Sequence, residues 1–161
     1  MEIRDLRVLY LEFGVYQGES MQIWSSLLRN PESKLHGFDS FEGLPETWNT
    51  LHERGRFTVN GVPPEINDTR VVFFKGWFNE TLSRYTLPDR EALFINIDSD
   101  LYSSAKVVLD FLRPHITSGT YLYFDEFHHR EHELKVFDEL LQETELRFRL
   151  IVASRQFSHV L

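Results

Sequence analysis

Short apolar runs recur along the chain, separated by stretches whose apolar residues fall three and four apart. Val8-Leu9-Tyr10-Leu11-Glu12-Phe13 reads as a buried strand and Lys34-Leu35-His36-Gly37-Phe38-Asp39 as a second. Val71-Val72-Phe73-Phe74, Ala92 to Ile97 and Tyr121-Leu122-Tyr123-Phe124 follow. These runs are continuous rather than alternating, as in strands covered on both faces. Between them Met21, Trp24, Leu27 and Leu28 form one face of a helix, as do Leu101, Ala105, Val108, Leu109 and Leu112, and then Leu134, Phe137 and Leu141. Strands alternating with helices predict a mostly parallel α/β sheet with right-handed crossovers. At the end of the chain, Leu146 to Ala153 and Gln156 to Leu161 read as strands joined by Ser154-Arg155 alone. So short a connection makes a hairpin, which predicts an antiparallel last strand. The segment from Glu42 to Arg70 has no periodic element and carries Gly43, Pro45, Gly55, Gly61, Pro63 and Pro64. A connection of that length in a compact domain is a lid or binding loop, or else a plain insertion.

Composition narrows the class. With 161 residues, 42% hydrophobic and 26% charged, the chain is expected to be one globular domain. Its 17 Lys and Arg against 25 Asp and Glu give a net charge of −8, which argues against nucleic acid and anionic membrane as partners. The absence of cysteine excludes disulfides, thiolate zinc sites and a Cys nucleophile. No apolar run approaches the ~20 residues of a membrane-spanning helix. Met1 to Asp5 is too polar for a signal peptide. A soluble, cytoplasmic domain is the expectation.

Candidate chemistry gathers at the strand ends. Glu12-Phe13-Gly14-Val15-Tyr16-Gln17-Gly18-Glu19-Ser20 follows the first strand and opens the first helix. Ligands of open α/β sheets bind beyond the carboxyl ends of the strands, and Gly14 and Gly18 would let backbone come close to one. Glu12 could hold an ammonium or hydroxyl, although glycines at such a turn also serve structure alone. Tyr16 stands where the dinucleotide fingerprint needs its central glycine, which disfavours a nicotinamide-dependent oxidoreductase. Asp39, one βαβ unit after Glu12, is placed either to accept ribose hydroxyls or to cap a helix. Asp98 and Asp100 end the fourth strand, and Asp125 and Glu126 end the fifth. Several like charges in one crevice call for neutralisation, and Mg²⁺ suits carboxylates. Asp100 is also placed to cap the helix that begins at Leu101. His128, His129 and His132 read as a solvated run rather than a zinc site or general base. Trp77 and Phe78 either flank a flat base or pack in the core.

Four segments in order resemble the macrocin O-methyltransferase family, of the class I S-adenosylmethionine-dependent methyltransferases. They are Leu11 to Ser20, Phe38-Asp39-Ser40-Phe41-Glu42-Gly43-Leu44-Pro45-Glu46-x-Trp48, Lys75-Gly76-x-Phe78-x-Glu80-Thr81-Leu82 and Ile97-Asp98-x-Asp100-Leu101-Tyr102. The likeness runs from Val8 to Glu126. It implies a Rossmann-like, seven-stranded sheet, mostly parallel with an antiparallel C-terminal strand and helices on both faces. It also implies that Glu12, Gly14, Gly18 and Ser20 surround the methionine part of S-adenosylmethionine. Asp39 would then bind the ribose, with Ser40 and Trp77 near the adenine. Asp98 would contact the cofactor and act as general base, and Asp98, Asp125 and Glu126 would hold Mg²⁺. The implied reaction is methylation of a small-molecule hydroxyl, on a sugar or natural product. A cofactor-binding interaction module without catalysis is the alternative. Three features depart from the family: Glu126 stands where an aspartate is usual, the segment with His128, His129 and His132 does not follow the family pattern, and the chain starts almost at the cofactor motif, without the usual N-terminal helical extension. Closure of the site is then expected from a second subunit in a homo-oligomer or from the Glu42–Arg70 segment, or else catalysis is impaired.

Overall fold

In a computed structural model, residues 2–125, 127 and 130–151 of the chain are described. They form β1 (Val8–Phe13), α1 (Glu19–Leu27), β2 (Lys34–Asp39), β3 (Val71–Lys75), α2 (Phe78–Leu82), β4 (Ala92–Ile97), α3 (Tyr102–Leu112), β5 (Tyr121–Phe124) and α4 (Glu133–Glu143), with two short 3₁₀ turns. The five strands make one sheet in the order β3-β2-β1-β4-β5, and every pairing is parallel. The order reverses between β1 and β4, where open α/β folds bind ligands.

β1 is the organising strand. All six of its residues are buried, because it is paired on both edges and covered on both faces. Val8 and Tyr10 face α1, where Tyr10 stacks on Trp24 at 5.0 Å between ring centres and Met21 fills the space beside them. Leu9, Leu11 and Phe13 face the other way, into a core closed by Val108, Leu109 and Leu112 of α3 and by Val136 and Leu140 of α4. On that face register puts Phe13, Phe38 and Phe74 side by side, with rings stacked at 4.9 and 4.8 Å. Such cross-strand aromatic contacts fix strand register beyond simple area burial.

The expected sheet is corrected in two respects. The described residues hold five strands, not seven, and none is antiparallel. Leu146 to Ile151, the described part of the expected strand Leu146–Ala153, takes no strand conformation. Leu146 and Phe148 instead pack on the core, Phe148 edge-on to Phe137, while Leu150 and Ile151 are exposed. Phe148 finds its partner Phe137 on α4, and among the described residues no strand extends the sheet beyond β5. The remainder of the expected hairpin, 152–161, lies outside the described residues.

Two helix faces also shift. Leu27 of α1 is exposed, and α4 buries Glu133, Val136 and Leu140 rather than Leu134 and Leu141.

A buried histidine gives the fold a pH dependence. His36 on β2 is bonded to the Tyr85 hydroxyl at 2.6 Å, and burial, with Lys34 nearby, lowers it to about 4. The unfolded chain takes up this proton near pH 6.5 and the folded chain does so only near 4. Stability from this group is therefore intact above 6.5 and lost as pH falls toward 4. Urea unfolding at pH 5 should show a loss on the order of 1–2 kcal/mol relative to pH 7.5. His36→Phe combined with Tyr85→Phe should reduce that loss, and an unchanged pH slope would remove His36 as its source.

Candidate active site

The paired register sets four strand ends in line. Phe13 is level with Phe38 and Ile97, and Ile97 with Phe124. The next residues, Gly14, Asp39, Asp98 and Asp125, therefore form one row across the carboxyl edge of the sheet. Backbone bonds hold the row: the Gly14 amide donates to the Phe38 carbonyl, that of Asp98 to Phe13, and that of Asp125 to Ile97, at 2.9–3.1 Å.

At Gly14 the chain leaves β1 with φ +93, and a Cβ there would overlap the Asp98 carbonyl oxygen. Glycine is therefore demanded by sterics as well as by torsion. Gly18 has φ +80 and is the N-cap residue of α1, where a Cβ would meet the Pro64 ring at 2.7 Å. Ser20 lies in the first turn of α1.

Asp39 staples the row together. Its Oδ2 accepts the amides of Val15 at 2.8 Å and Tyr16 at 2.9 Å, and Oδ1 accepts that of Phe41 at 2.7 Å. No helix follows β2, so the helix-cap reading of Asp39 is replaced by an Asx turn that also fixes the β1–α1 loop. Ser40 turns the chain in the same way, its hydroxyl accepting the Glu42 amide at 3.1 Å. Trp77 is the N-cap residue of α2, and Phe78 packs edge-on against Phe13.

Below the row, Glu12 and Asn96 are buried side by side on β1 and β4. Asn96 Nδ2 donates to Tyr10 Oη at 3.1 Å and approaches Glu12 Oε1 at 3.4 Å, while Glu12 Oε2 and Asn96 Oδ1 have no partner among the described residues. Burial raises the Glu12 carboxyl to about 8; the Tyr10 hydroxyl bond opposes this rise and the Asp39 charge adds to it. Asp98 is also raised well above its ordinary value, first by burial and then by Asp125, Asp100, Glu133 and Glu12. A carboxyl moved toward neutrality is better matched to proton transfer than an ordinary one.

Several expected roles change. Asp100 does not cap α3: Leu101 is the N-cap residue, and Asp100 takes a left-handed φ of +61. His132 is half-buried rather than solvated, and its Nδ1 accepts the Tyr102 amide at 3.3 Å. Glu126, His128 and His129 lie outside the described residues. Among the described residues no three acidic or histidine side chains are grouped to hold a metal ion; Glu126, the third member of the expected Asp98–Asp125–Glu126 set, is not one of those residues. The structure adds Glu133, fully buried, whose Oε1 accepts the Ser99 amide at 3.1 Å. Its spacing to Val136 and Leu140, three and seven residues on, is the one trace of this burial in the sequence.

The segment between β2 and β3 spans the row. Pro64 and Ile66 cover Gly18, Phe57 meets Tyr16 edge-on at 5.8 Å, Glu46 accepts the Ser103 hydroxyl at 2.6 Å and Trp48 meets His132 at 6.1 Å. Arg70 anchors its end, donating to the carbonyls of Ser25 and Leu28 at 2.7 and 2.8 Å and pairing with Asp68. The segment thus packs on the β1–α1 turn and on the start of α3, beside the row.

Asp39→Ala removes three charge-assisted bonds from the β1–α1 turn and is expected to cost about 3 kcal/mol in chemical denaturation. Gly14→Ala should cost at least as much through its clash with Asp98. Wild-type stability in either variant would show that the turn is held by other contacts.

Residues 11–127 match the family model described as a methyltransferase domain. A 4'-O-methyltransferase from Streptomyces olivaceus, acting on 8-demethyl-8-(2,3-dimethoxy-alpha-L-rhamnosyl)-tetracenomycin-C, is 29% identical over 137 residues, covering 73% of this chain and 52% of its own. Demethyldecarbamoylnovobiocin O-methyltransferase from Streptomyces niveus is 27% identical over 139 residues, with the same coverage. The chain thus spans about half the length of these curated relatives. The crystal structure of the calicheamicin methyltransferase CalS11 superposes with TM-score 0.68 at 25% identity, covering 89% of this chain and 67% of the other. The O-methyltransferase NovP superposes with TM-score 0.72 at 22% identity, covering 91% and 68%, and shows the shared fold. With the greater part of its length inside the family model, the chain belongs to the methyltransferase domain family.

Proposed function

We propose that the chain transfers a methyl group from S-adenosylmethionine to a hydroxyl of a sugar or sugar-bearing natural product. The observation that carries this reading is the row of Gly14, Asp39, Asp98 and Asp125 at the switch point of a methyltransferase-family sheet. The tetracenomycin relative named above and CalS11, described as a TDP-rhamnose 3'-O-methyltransferase, act on sugars, and both support the acceptor class. The macrocin-type motifs point the same way.

Among the described residues Glu12 Oε2 and Asn96 Oδ1 are buried acceptors without donors, a lack that an ammonium would meet. On this reading Glu12, Gly14, Gly18 and Ser20 surround the methionine end. Asp39 accepts a ribose hydroxyl on lone pairs that its three amides leave free, and Ser40 and Trp77 flank the adenine. When bound, S-adenosylmethionine supplies an electrophilic methyl on a sulfonium sulfur. The chain would supply alignment, and Asp98 would take the proton of the acceptor hydroxyl, whose oxygen gains the methyl as the carbon–sulfur bond breaks and S-adenosylhomocysteine leaves. A Mg²⁺ ion is a separate element of the proposal. Asp98 and Asp125 are hard oxygen donors whose mutual repulsion a cation would relieve.

Calorimetric titration with S-adenosylhomocysteine, with NAD as control, should give micromolar binding to the first and none to the second. Enhancement by Mg²⁺ that Asp98→Asn abolishes would add the metal, and indifference to Mg²⁺ would remove it. Failure of folded protein to bind would overturn the cofactor assignment, whereas binding without transfer to any glycoside would favour the interaction module.

The same titration has a pH sign. Glu12 is protonated at pH 6, and an ammonium is held by its ionised form, so affinity should rise as pH approaches about 8. Glu12→Gln should flatten that rise; a flat wild-type profile would separate Glu12 from the ligand.

A further inference from the structure

The turn that follows Asp98 is strained. Asp100 holds a left-handed φ of +61, a region that costs a residue with a Cβ energy, though Asp less than most. Leu101 gives α3 no side-chain cap, and its amide folds back to the Ser99 carbonyl at 2.6 Å.

The restraint comes from α4. Glu133 Oε1 accepts the Ser99 amide at 3.1 Å, and His132 Nδ1 accepts that of Tyr102 at 3.3 Å, so consecutive residues pin both ends of the turn. Further along the helix, Glu139 accepts the Tyr102 hydroxyl on both oxygens at 3.0 Å, and the Lys135 ammonium lies 4.4 Å from the centre of that ring. Glu133 is fully buried on the same stripe as Val136 and Leu140. A buried carboxylate beside the acidic row is costly, and an aliphatic residue would pack there at no electrostatic cost. What the aliphatic residue lacks is an acceptor for the Ser99 amide.

We propose that Glu133 is a positioning residue, which from the first turn of α4 holds the Asp98–Tyr102 turn and thereby aims Asp98 into the crevice at the sheet edge. This rests on the reading of Asp98 as a site carboxyl. It makes α4, which supplies none of the expected ligand contacts, part of the machinery.

The test compares full-length wild type, Glu133→Gln and Glu133→Ala by hydrogen–deuterium exchange of peptides covering 98–102 and 8–13, and by S-adenosylhomocysteine titration. Glutamine keeps an oxygen for the amide and alanine does not. Glu133→Ala should speed exchange at 98–102 and weaken binding, each about tenfold, with 8–13 unchanged, while Glu133→Gln stays within about threefold of wild type. If the alanine variant does not fold, Glu133→Leu, an apolar side chain with no acceptor, takes its place. Unchanged exchange and affinity in the variant without an acceptor, or glutamine as defective as alanine, would overturn the proposal. Should wild type itself bind no S-adenosylhomocysteine, the functional reading fails and the exchange comparison alone decides the role of Glu133.

Discussion

The register of β1 against β2 on one side and β4 on the other is the constraint on which the site depends. A slip of one residue would turn every side chain of β1 to the opposite face. Phe13 would leave its stack with Phe38 and Phe74, Glu12 would part from Asn96, and Gly14 would no longer meet the Asp98 carbonyl. The aromatic contacts on one face and the glycine contact at the strand end therefore select the same alignment. That alignment sets Gly14, Asp39, Asp98 and Asp125 in a row.

Electrostatics then give the row its character. Glu12, Asp98 and Glu133 are acids taken out of water in a chain already at −8, and the elevation of Glu12 and Asp98 records the cost. Asp39 instead accepts three backbone amides. The contrast divides the labour: Asp39 shapes the loop through its bonds to backbone amides, while burial raises Glu12 and Asp98 toward neutrality. The segment between β2 and β3 lies over the same edge and is secured at its end by Arg70, so cover and row are built from neighbouring stretches of chain.

Most of the frame was legible in the residues. Short runs read from the sequence mark β1, β2, β4 and β5 at their observed bounds; β1 and β4, the strands buried almost throughout, carry no alternation to misread. The strand-end positions of Glu12, Asp39, Asp98 and Asp125 followed from those bounds. What stayed hidden depends on contacts remote in sequence. Glu133 is polar on a buried stripe, so the pattern of Leu134, Phe137 and Leu141 places the inward face of α4 one residue away from where it lies. Asp100 reads as a helix cap because local preference favours it, whereas bonds from α4 hold it in a left-handed turn. Leu146 to Ile151 has strand-like composition, but Leu146 and Phe148 find their partners in the core rather than in a ladder.

The central claim is that the carboxyl edge of the sheet, at the β1/β4 switch point, is where the cofactor sits. Backbone amide chemical shifts recorded during titration with S-adenosylhomocysteine test it most directly. The account predicts perturbations concentrated at residues 12–20, 38–43, 76–78 and 98–101. A polar cleft at the opposite, amino edge, lined by Asp89, Arg90, Glu91 and Thr117 to Thr120, should stay silent. Perturbations centred on that cleft, with the β1–α1 turn unmoved, would contradict the account.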